Sequence, residues 1–150
     1  MRQRRPDIEP LGVLVEERIA SPGLELVITV RRDAAMGLVT VIGRGGVQVE
    51  LDPDYVVHVG RLRAGELPAL VGRLRCAPLL RGYRGSPPLA LDALERTVTR
   101  LQEAVIAANV AEVELNPVLL AREAAWVLDA LCLPPSASGA SAPRAAVAAA

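Results

Sequence analysis

Apolar residues along the chain fall into short runs separated by glycine and proline, which is the pattern of a sheet with brief connections. Runs rich in Val, Ile and Leu predict five strands in the first part of the chain, at residues 12–17, 24–32, 38–42, 47–51 and 55–59. Apolar positions spaced as i, i+3, i+4 and i+7 then predict two helices, at 67–74 and 91–108. Two further strands are predicted at 112–120 and 125–131.

This order of elements predicts one α+β domain, in which a many-stranded sheet is packed by two helices. At the start of the second helix, Asp92 followed by Glu95 three residues later predicts a capping box. We expect residues 1–10 to be a lead-in and 11–133 to be the domain. Residues 134–150 are rich in Ala, Pro and Ser without a periodic apolar face, and we predict a disordered tail there.

Composition excludes several classes of protein. Apolar residues make up 51% of the 150, which excludes a disordered chain, and a formal net charge of zero favours neither nucleic acid nor an anionic membrane as partner. No run approaches the roughly 20 apolar residues of a membrane span. Cys76 and Cys132 form no CxxC pair, which fits a reducing, cytoplasmic location. All 17 basic residues are Arg, so a lysine on a nucleotide phosphate would have to come from elsewhere.

The last predicted hairpin carries candidate metal ligands. Period-2 alternation puts three polar residues on one face of its first strand: Glu112, Glu114 and Asn116. A four-residue connection at 121–124 would place Asn116 directly opposite Asp129, with their Cβ atoms about 5 Å apart. An amide oxygen and a carboxylate at that separation can share Mg²⁺, which binds oxygens at about 2.1 Å and also keeps waters and phosphate oxygens. Pro117 fits only an edge strand or a bulge, and a merely solvated polar face explains the same pattern.

Three other features are candidates for contact with an anion. Gly45 and Gly46 lie between two predicted strands, where their backbone amides can form an anion-binding nest or simply a glycine turn. Arg31 shares a strand face with Glu25, where it can meet a phosphate through a bidentate fork or lie in solvent. His58, the only histidine, alternates with apolar residues and is expected to be partly buried or at the surface, without a chemical role.

The segment 114–117, Glu-Leu-Asn-Pro, with the strand 127–130 is similar to the closing hairpin of succinyl-CoA synthetase β-subunits, and closer to that of ADP-forming acetyl-CoA synthetases. Upstream segments agree with this family in order, at 12–16, 24–26, 30–33, 43–46, 49–50 and 79–85. The resemblance covers residues 6–133. It implies the second, C-terminal subdomain of an ATP-grasp nucleotide site in an NDP-forming acyl-CoA synthetase, with a mainly antiparallel sheet.

The resemblance also implies roles for individual residues. Asn116 and Asp129 would be the Mg²⁺ ligands, and Glu114 would steady a phosphohistidine segment that swings in from the CoA-binding part of the enzyme. Glu16 would lie at the adenine-side hinge strand and Glu25 near the ribose. The family's glycine loop favours a nucleotide contact at 45–46. The implied cofactors are Mg²⁺ and ATP or ADP, and acyl-CoA, phosphate and ADP would give acid, CoA and ATP through an acyl phosphate and a phosphohistidine.

The chain departs from the family in what surrounds this site. The other ATP-grasp lobe, with its lysine and glycine-rich loop, and the CoA-binding and ligase domains are expected as partners, together with a small carboxylic acid substrate. His58 stands where the family usually has a basic residue on a strand, and Leu131 replaces another basic residue. A non-catalytic remnant, a regulatory or assembly module, and an ATP-grasp ligase that joins carboxylates to amines are the alternatives.

Overall fold

The computed structural model describes residues 12–46 and 53–135 of the chain. It has nine elements in the order β1 Gly23–Asp33, β2 Gly37–Arg44, β3 Tyr55–Val59, α1 Leu67–Val71, α2 Ala77–Leu80, α3 Leu91–Ala107, β4 Glu112–Ala121, β5 Ala125–Val127 and β6 Ala130–Leu133 within those residues. All the strand pairings among them are antiparallel. The predicted α+β class with a mainly antiparallel sheet is confirmed.

The sheet is built around β1, and its order is β3-β2-β1-β4, with β5 and β6 following one another along the outer side of β4. On β1, Leu26, Ile28 and Val30 are fully buried against the helices, as the alternation predicts. We call the opposite side of the sheet its open face. It carries the alternate residues of β1 and the polar residues of β4: Glu25, Thr29, Arg31, Glu112, Glu114 and Asn116.

The core lies between the sheet and α3, whose Leu94, Val98 and Val105 are fully buried. Burial of each such side chain contributes about 1.5–3 kcal/mol, so this one stripe is a large part of the stabilisation. The shorter helices α1 and α2 each have a proline in the first turn, where its missing N–H breaks no helical hydrogen bond. The helices pack on the face of the sheet opposite the open face.

A buried polar cluster fixes α3 against β2. The side chain of Gln102 is 2% exposed, and its Oε1 accepts a hydrogen bond from Leu62 N–H at 3.0 Å. Its Nε2 donates to Thr40 Oγ1 at 2.8 Å and to the Gly60 carbonyl at 3.3 Å. One side chain thus joins a helix, a strand and the connection after β3, which sets the position of α3 along the sheet.

A second polar cluster ties the residues before β3 to the start of α2. The Asp54 carboxylate accepts hydrogen bonds from Arg75 N–H and Cys76 N–H, both at 2.8 Å. Burial by itself would raise the pKa of Asp54, but these two N–H donors hold it below its ordinary value. Burial, aided by the neighbouring Asp54, raises the pKa of the Cys76 thiol to about 11, so this thiol stays protonated at neutral pH.

One of the predicted strands is not found as such. Residues 12–17 pair with no strand in the described chain, and Val13, Leu14 and Val15 are 82–89% exposed. A segment that prefers an extended backbone becomes a strand only when another strand satisfies its N–H and C=O groups. No strand of the described sheet does this for residues 12–17. The predicted strand 47–51 lies outside the described residues.

Three boundaries also differ from the predictions. The predicted first helix at 67–74 ends at Val71, and the short helix α2 that follows lies beyond the predicted range. The last predicted strand is interrupted between β5 and β6. The capping box is wrong: α3 begins at Leu91 with Ala90 as its N-cap, so Asp92 lies inside the first turn. There Asp92 accepts a hydrogen bond from Arg96 at 2.8 Å, while Glu95 accepts one from Gly65 N–H at 2.6 Å.

The predicted lead-in and most of the predicted tail lie outside the described residues. Across the parts of the chain that are described, none of the helices has both the length and the apolar character that crossing a membrane requires.

Candidate metal and nucleotide site

The register of the last hairpin is the one expected from its turn. Val118, Leu119 and Leu120 pair with Val127, Trp126 and Ala125, and the pairing resumes in the same register from Leu115 with Ala130. Between these two stretches, Asn116 N–H donates to the Asp129 carbonyl at 3.1 Å and Leu128 N–H to the Pro117 carbonyl at 3.0 Å. Asn116 therefore lies directly opposite Asp129, and that prediction is confirmed.

A bulge in β4 re-aims the side chains around this pair. On the β1 side, Leu26 pairs with Val118 and Ile28 with Leu115, so Asn116 and Pro117 together face the single residue Val27. Pro117 has no N–H to give to a neighbouring strand, and a bulge is one of the few places where proline fits inside a sheet. Leu115 and Val118 both enter the core across the bulge, although strict alternation would put them on opposite faces.

The candidate ligands have one side-chain atom engaged each. Asn116 Nδ2 donates to Glu114 Oε1 at 3.1 Å, which places these two side chains together on the open face. Asp129 Oδ1 accepts a hydrogen bond from Ala130 N–H at 2.8 Å. Within residues 12–46 and 53–135, no hydrogen bond engages Asn116 Oδ1 or Asp129 Oδ2, and both residues are exposed. Each residue therefore offers one oxygen to an incoming cation.

The donor chemistry of this pair fits Mg²⁺. An amide oxygen and a carboxylate oxygen are hard ligands, and Mg²⁺ needs only one or two of them from the protein because it keeps waters and takes oxygens from substrate phosphates. In the described ranges, no three His, Cys, Asp or Glu side chains converge. The candidate is consequently an open site with few protein ligands among the described residues.

Arg31 lies on the same open face, one strand away. The β1–β4 register pairs Arg31 with Glu112 and Thr29 with Glu114. Arg31 Nη2 is 3.9 Å from Asp33 Oδ2, and Arg31 Nε is buried without a hydrogen-bond acceptor among the described residues. Two backbone N–H groups, of Met36 and Ala35, hold the pKa of Asp33 below its ordinary value, with a smaller contribution from Arg31. Because Nε is buried, the terminal nitrogens of this guanidinium are the donors that an incoming phosphate oxygen can reach, in competition with the neighbouring carboxylates.

Glu25, Gly45 and Gly46 meet where β1 begins and β2 ends. Gly45 N–H donates to the Glu25 carbonyl at 2.7 Å, so this amide is used inside the sheet and the glycine-turn interpretation accounts for it. A Cβ at position 45 would lie 3.1 Å from the Glu25 carbonyl carbon and oxygen, which explains why glycine is needed. Gly46, with φ of +96°, comes within the same corner: a Cβ there would lie 3.8 Å from Glu25 Oε2.

Glu16 is not brought together with the other candidates. It lies in the exposed segment before β1, and no described hydrogen bond or ion pair joins it to Glu25, Arg31 or Glu114. His58 is on the helix side of the sheet opposite Thr40, and its Nε2 is buried without a hydrogen-bond partner in the described chain. This burial agrees with the prediction that His58 is partly buried, and it separates His58 from the open face.

Sequence reasoning did not find a cavity of about 710 Å³ at the turn end of the hairpin. Its lining includes Leu24, Leu79, Tyr83, Arg122 and Trp126. The signal that could have pointed to it is composition: the chain has one Trp, two Tyr and no Phe, and two of those three aromatic residues line this cavity. The indole of Trp126 is therefore a natural optical probe for this end of the domain.

The molecule is thus an α+β domain with helices on one face of an antiparallel sheet and with carboxylate, amide and arginine side chains on the other. Comparison with known proteins gives the family. The model of the ATP-grasp domain family matches residues 1–132, and the chain belongs to this family.

Its relatives are acyl-CoA synthetases. The chain is 34% identical over 126 residues to a trans-feruloyl-CoA synthase of an unknown prokaryote, covering 81% of this chain and 18% of that protein. It is 30% identical over 133 residues to the β subunit of Pyrococcus furiosus ADP-forming acetate–CoA ligase II, covering 86% of this chain and 56% of that subunit. The family prediction is confirmed, and this chain corresponds to a part of each relative.

A solved structure shows the same fold. The dinucleotide-forming acetyl-coenzyme A synthetase 1 of Ca. Korarchaeum cryptofilum matches with a TM-score of 0.70 and 31% identity, covering 77% of this chain and 55% of that chain. That protein was solved with coenzyme A and Mg-AMPPCP, and its phosphohistidine segment points towards the nucleotide binding site.

Proposed function

We propose that this chain supplies the Mg²⁺- and nucleotide-binding open face of an ADP-forming acid–CoA ligase. The observation that carries the proposal is the direct opposition of Asn116 and Asp129, each with one side-chain oxygen left for a cation. The complete reaction would convert acyl-CoA, ADP and phosphate to a small carboxylic acid, CoA and ATP, through an acyl phosphate and a phosphohistidine.

Each residue of the open face has a proposed part in this function. Asn116 Oδ1 and Asp129 Oδ2 would hold Mg²⁺, which when bound offsets phosphate charge as the phosphoryl group moves. Arg31 would donate to a phosphate oxygen from the terminal nitrogens of its guanidinium, and Glu114 would accept a hydrogen bond from the incoming phosphohistidine segment. Glu25 would lie near the ribose, with Gly46 beside it. The Korarchaeum protein holds Mg-AMPPCP, and its phosphohistidine segment points towards the nucleotide binding site, which supports the proposal of a metal-nucleotide site.

The function requires parts that residues 11–133, the proposed ATP-grasp subdomain, do not contain. The chain has no lysine, so the lysine on the nucleotide phosphates would come from the complementary ATP-grasp lobe, and a CoA-binding and ligase unit would carry the phosphorylated histidine. The exposed run from Val13 to Val15 supports this proposal, because three consecutive apolar residues suit a strand covered on both faces. Both cysteines are free, which supports a cytosolic location.

Reconstitution tests the proposal. The chain would be combined with the complementary lobe and CoA-binding unit, and acid-dependent consumption of CoA with ATP would be measured. Asn116→Ala and Asp129→Ala should each lower the rate by at least about 10- to 100-fold, the range for disturbed metal sites. Asp92→Ala is the matched control, since this exposed carboxylate lies on α3 on the helix side. Full activity of both ligand variants would exclude the metal assignment.

One observation favours a second candidate, a non-catalytic assembly module. Leu131 pairs with Glu114 across the hairpin and is 50% exposed, so an apolar side chain stands next to the proposed metal pair. Such a module would bind the same partner without Mg²⁺. Association that is equally tight with and without Mg-nucleotide, together with no CoA consumption, would favour this candidate over the enzyme.

A further inference from the structure

The two ends of an asparagine amide are not equivalent to a cation. The oxygen can bind Mg²⁺, whereas the NH₂ group cannot, and the two ends differ only by a rotation of the amide. The amide of an exposed asparagine such as Asn116 can turn either its oxygen or its NH₂ group towards a cation. A site that uses an amide ligand therefore gains affinity from any neighbour that fixes the orientation of the amide.

Glu114 is such a neighbour. Its Oε1 lies 3.1 Å from Asn116 Nδ2. An ionised carboxylate only accepts hydrogen bonds, so it can pair with the NH₂ end of an amide but not with the oxygen end. The chemistry of the pair thus permits one orientation of the Asn116 amide. In that orientation Oδ1 is the atom that remains for a ligand.

The backbone around Glu114 is itself firmly placed. Glu114 is half-buried and lies on β4 between two neighbouring strands, opposite Thr29 on one side and Leu131 on the other. Asn116, by contrast, lies at the bulge and is exposed. The firmly held residue can therefore orient the less constrained one, and the reverse is not expected.

We infer that Glu114 is a positioning residue of the cation site, which turns the Asn116 amide so that Oδ1 faces the metal. This inference rests on the proposed function, because it assumes that Asn116 and Asp129 bind a divalent cation. This positioning role is compatible with the proposed role of Glu114 as a hydrogen-bond acceptor for the phosphohistidine segment. Within the described chain only Oε1 is engaged, so Oε2 is left for the second role.

The inference differs from a simple effect of charge, and a double-mutant cycle separates the two. A carboxylate near a cation attracts it whatever residue stands at 116. Orientation matters only for an amide, because the two oxygens of a carboxylate are equivalent. Positioning therefore predicts that removal of Glu114 weakens binding when residue 116 is Asn, but not in the Asn116→Asp background. Attraction by charge predicts weaker binding in both backgrounds.

The experiment is a titration of the full chain with Mn²⁺, followed by the EPR signal of the free ion, with no nucleotide or activity involved. Glu114→Ala should raise the Kd by about tenfold, the lower end for loss of an outer-sphere partner of a metal ligand. Glu114→Gln should do the same, because its own NH₂ group can pair with Asn116 Oδ1 in competition with the metal. In the Asn116→Asp background, Glu114→Ala should change the Kd by less than about twofold, or tighten binding by removing a like charge.

Each outcome decides the matter. Equal weakening in both backgrounds, or no weakening in either, would overturn the positioning role while leaving the metal pair in place. Absence of Mn²⁺ binding to the folded wild-type chain at millimolar concentration would overturn the metal pair, and the positioning role with it. Circular dichroism of every variant establishes that it is folded, and Glu114→Gln, which conserves the shape of the side chain, replaces Glu114→Ala if the alanine variant unfolds.

Discussion

Replacement of Gln102 by leucine should destabilise the domain severely, because this side chain serves three partners from inside the core. The perturbation keeps the volume and removes every polar atom. It deprives Leu62 N–H of its 3.0 Å acceptor and Thr40 Oγ1 of its 2.8 Å donor, and it removes the longer bond to Gly60. Thr40 is fully buried, so water cannot replace the lost donor.

The magnitude follows from these contacts. A buried donor left without an acceptor costs about 1–3 kcal/mol, and the loss of an ordinary hydrogen bond costs about 0.5–1.5 kcal/mol. The N–H of Leu62 is the first kind and the hydroxyl of Thr40 the second, which gives about 2–4 kcal/mol in the free energy of unfolding. The free energy of unfolding of natural domains is about 5–15 kcal/mol. The Gln102→Leu chain should therefore still fold, but with only a small free energy of unfolding left.

Urea unfolding followed by the fluorescence of Trp126 measures this free energy directly. The urea midpoint should fall while the slope stays constant, since a constant slope indicates an unchanged difference in exposed surface. Thr40→Val is the matched variant: it removes one bond and should cost about 0.5–1.5 kcal/mol. The double variant should cost little more than Gln102→Leu alone, because the two changes remove the same bond. A loss below about 1 kcal/mol for Gln102→Leu, or full additivity, would refute this reasoning.

Two further predictions concern other parts of the chain. Asp54→Asn should cost about 1–3 kcal/mol at neutral pH, because an amide has one acceptor oxygen and its NH₂ group would face the second of the two N–H donors. Since the pKa of Asp54 is lowered in the folded state, the wild-type advantage should be complete above about pH 5 and shrink as the pH falls below 3.8. A difference between the urea midpoints of the two proteins that stays constant over this pH range would contradict this. Leu14→Asp should change the stability of the isolated chain by less than about 0.5 kcal/mol, because the Leu14 side chain is 82% exposed. The same variant should abolish co-purification with the complementary lobe, whereas the control variant Ile106→Asp on α3 should not. Retention of Leu14→Asp in the complex would exclude this segment from the interface.

Sequence reasoning worked best where one pattern determines one structure. Leu26, Ile28 and Val30 lie on one face of β1, and the other face carries Glu25, Thr29 and Arg31, which favours burial of the first face. The turn between β4 and β5 is short, so its length fixed which residue lies opposite Asn116. In both places the local pattern and the buried face agree, and the prediction needed no knowledge of distant residues.

The predictions failed where a local sequence pattern was used but the structure depends on residues that are distant in the sequence. Residues 12–17 have the composition of a strand, but a strand also needs a pairing partner, and no described strand pairs with them. Asp92 has the spacing of a capping residue, but packing of Leu91 and Leu94 starts the helix earlier. The amide of Gly45 looked free for an anion, yet the carbonyl of Glu25 takes it, which only the register of β1 and β2 reveals.

The bulge at Asn116 and Pro117 has a consequence for how this hairpin can be altered or transplanted. The bulge gives β4 one more residue than the facing stretch of β1. On its other side β4 pairs with β5 and β6 in one continuous register, so no additional residue is present there. A deletion in only one arm would therefore give Asn116 a different neighbour, whereas residues 112–133 moved as one cassette would keep Asn116 and Asp129 together. Engineered grafts of this segment should accordingly include both arms and the turn between them.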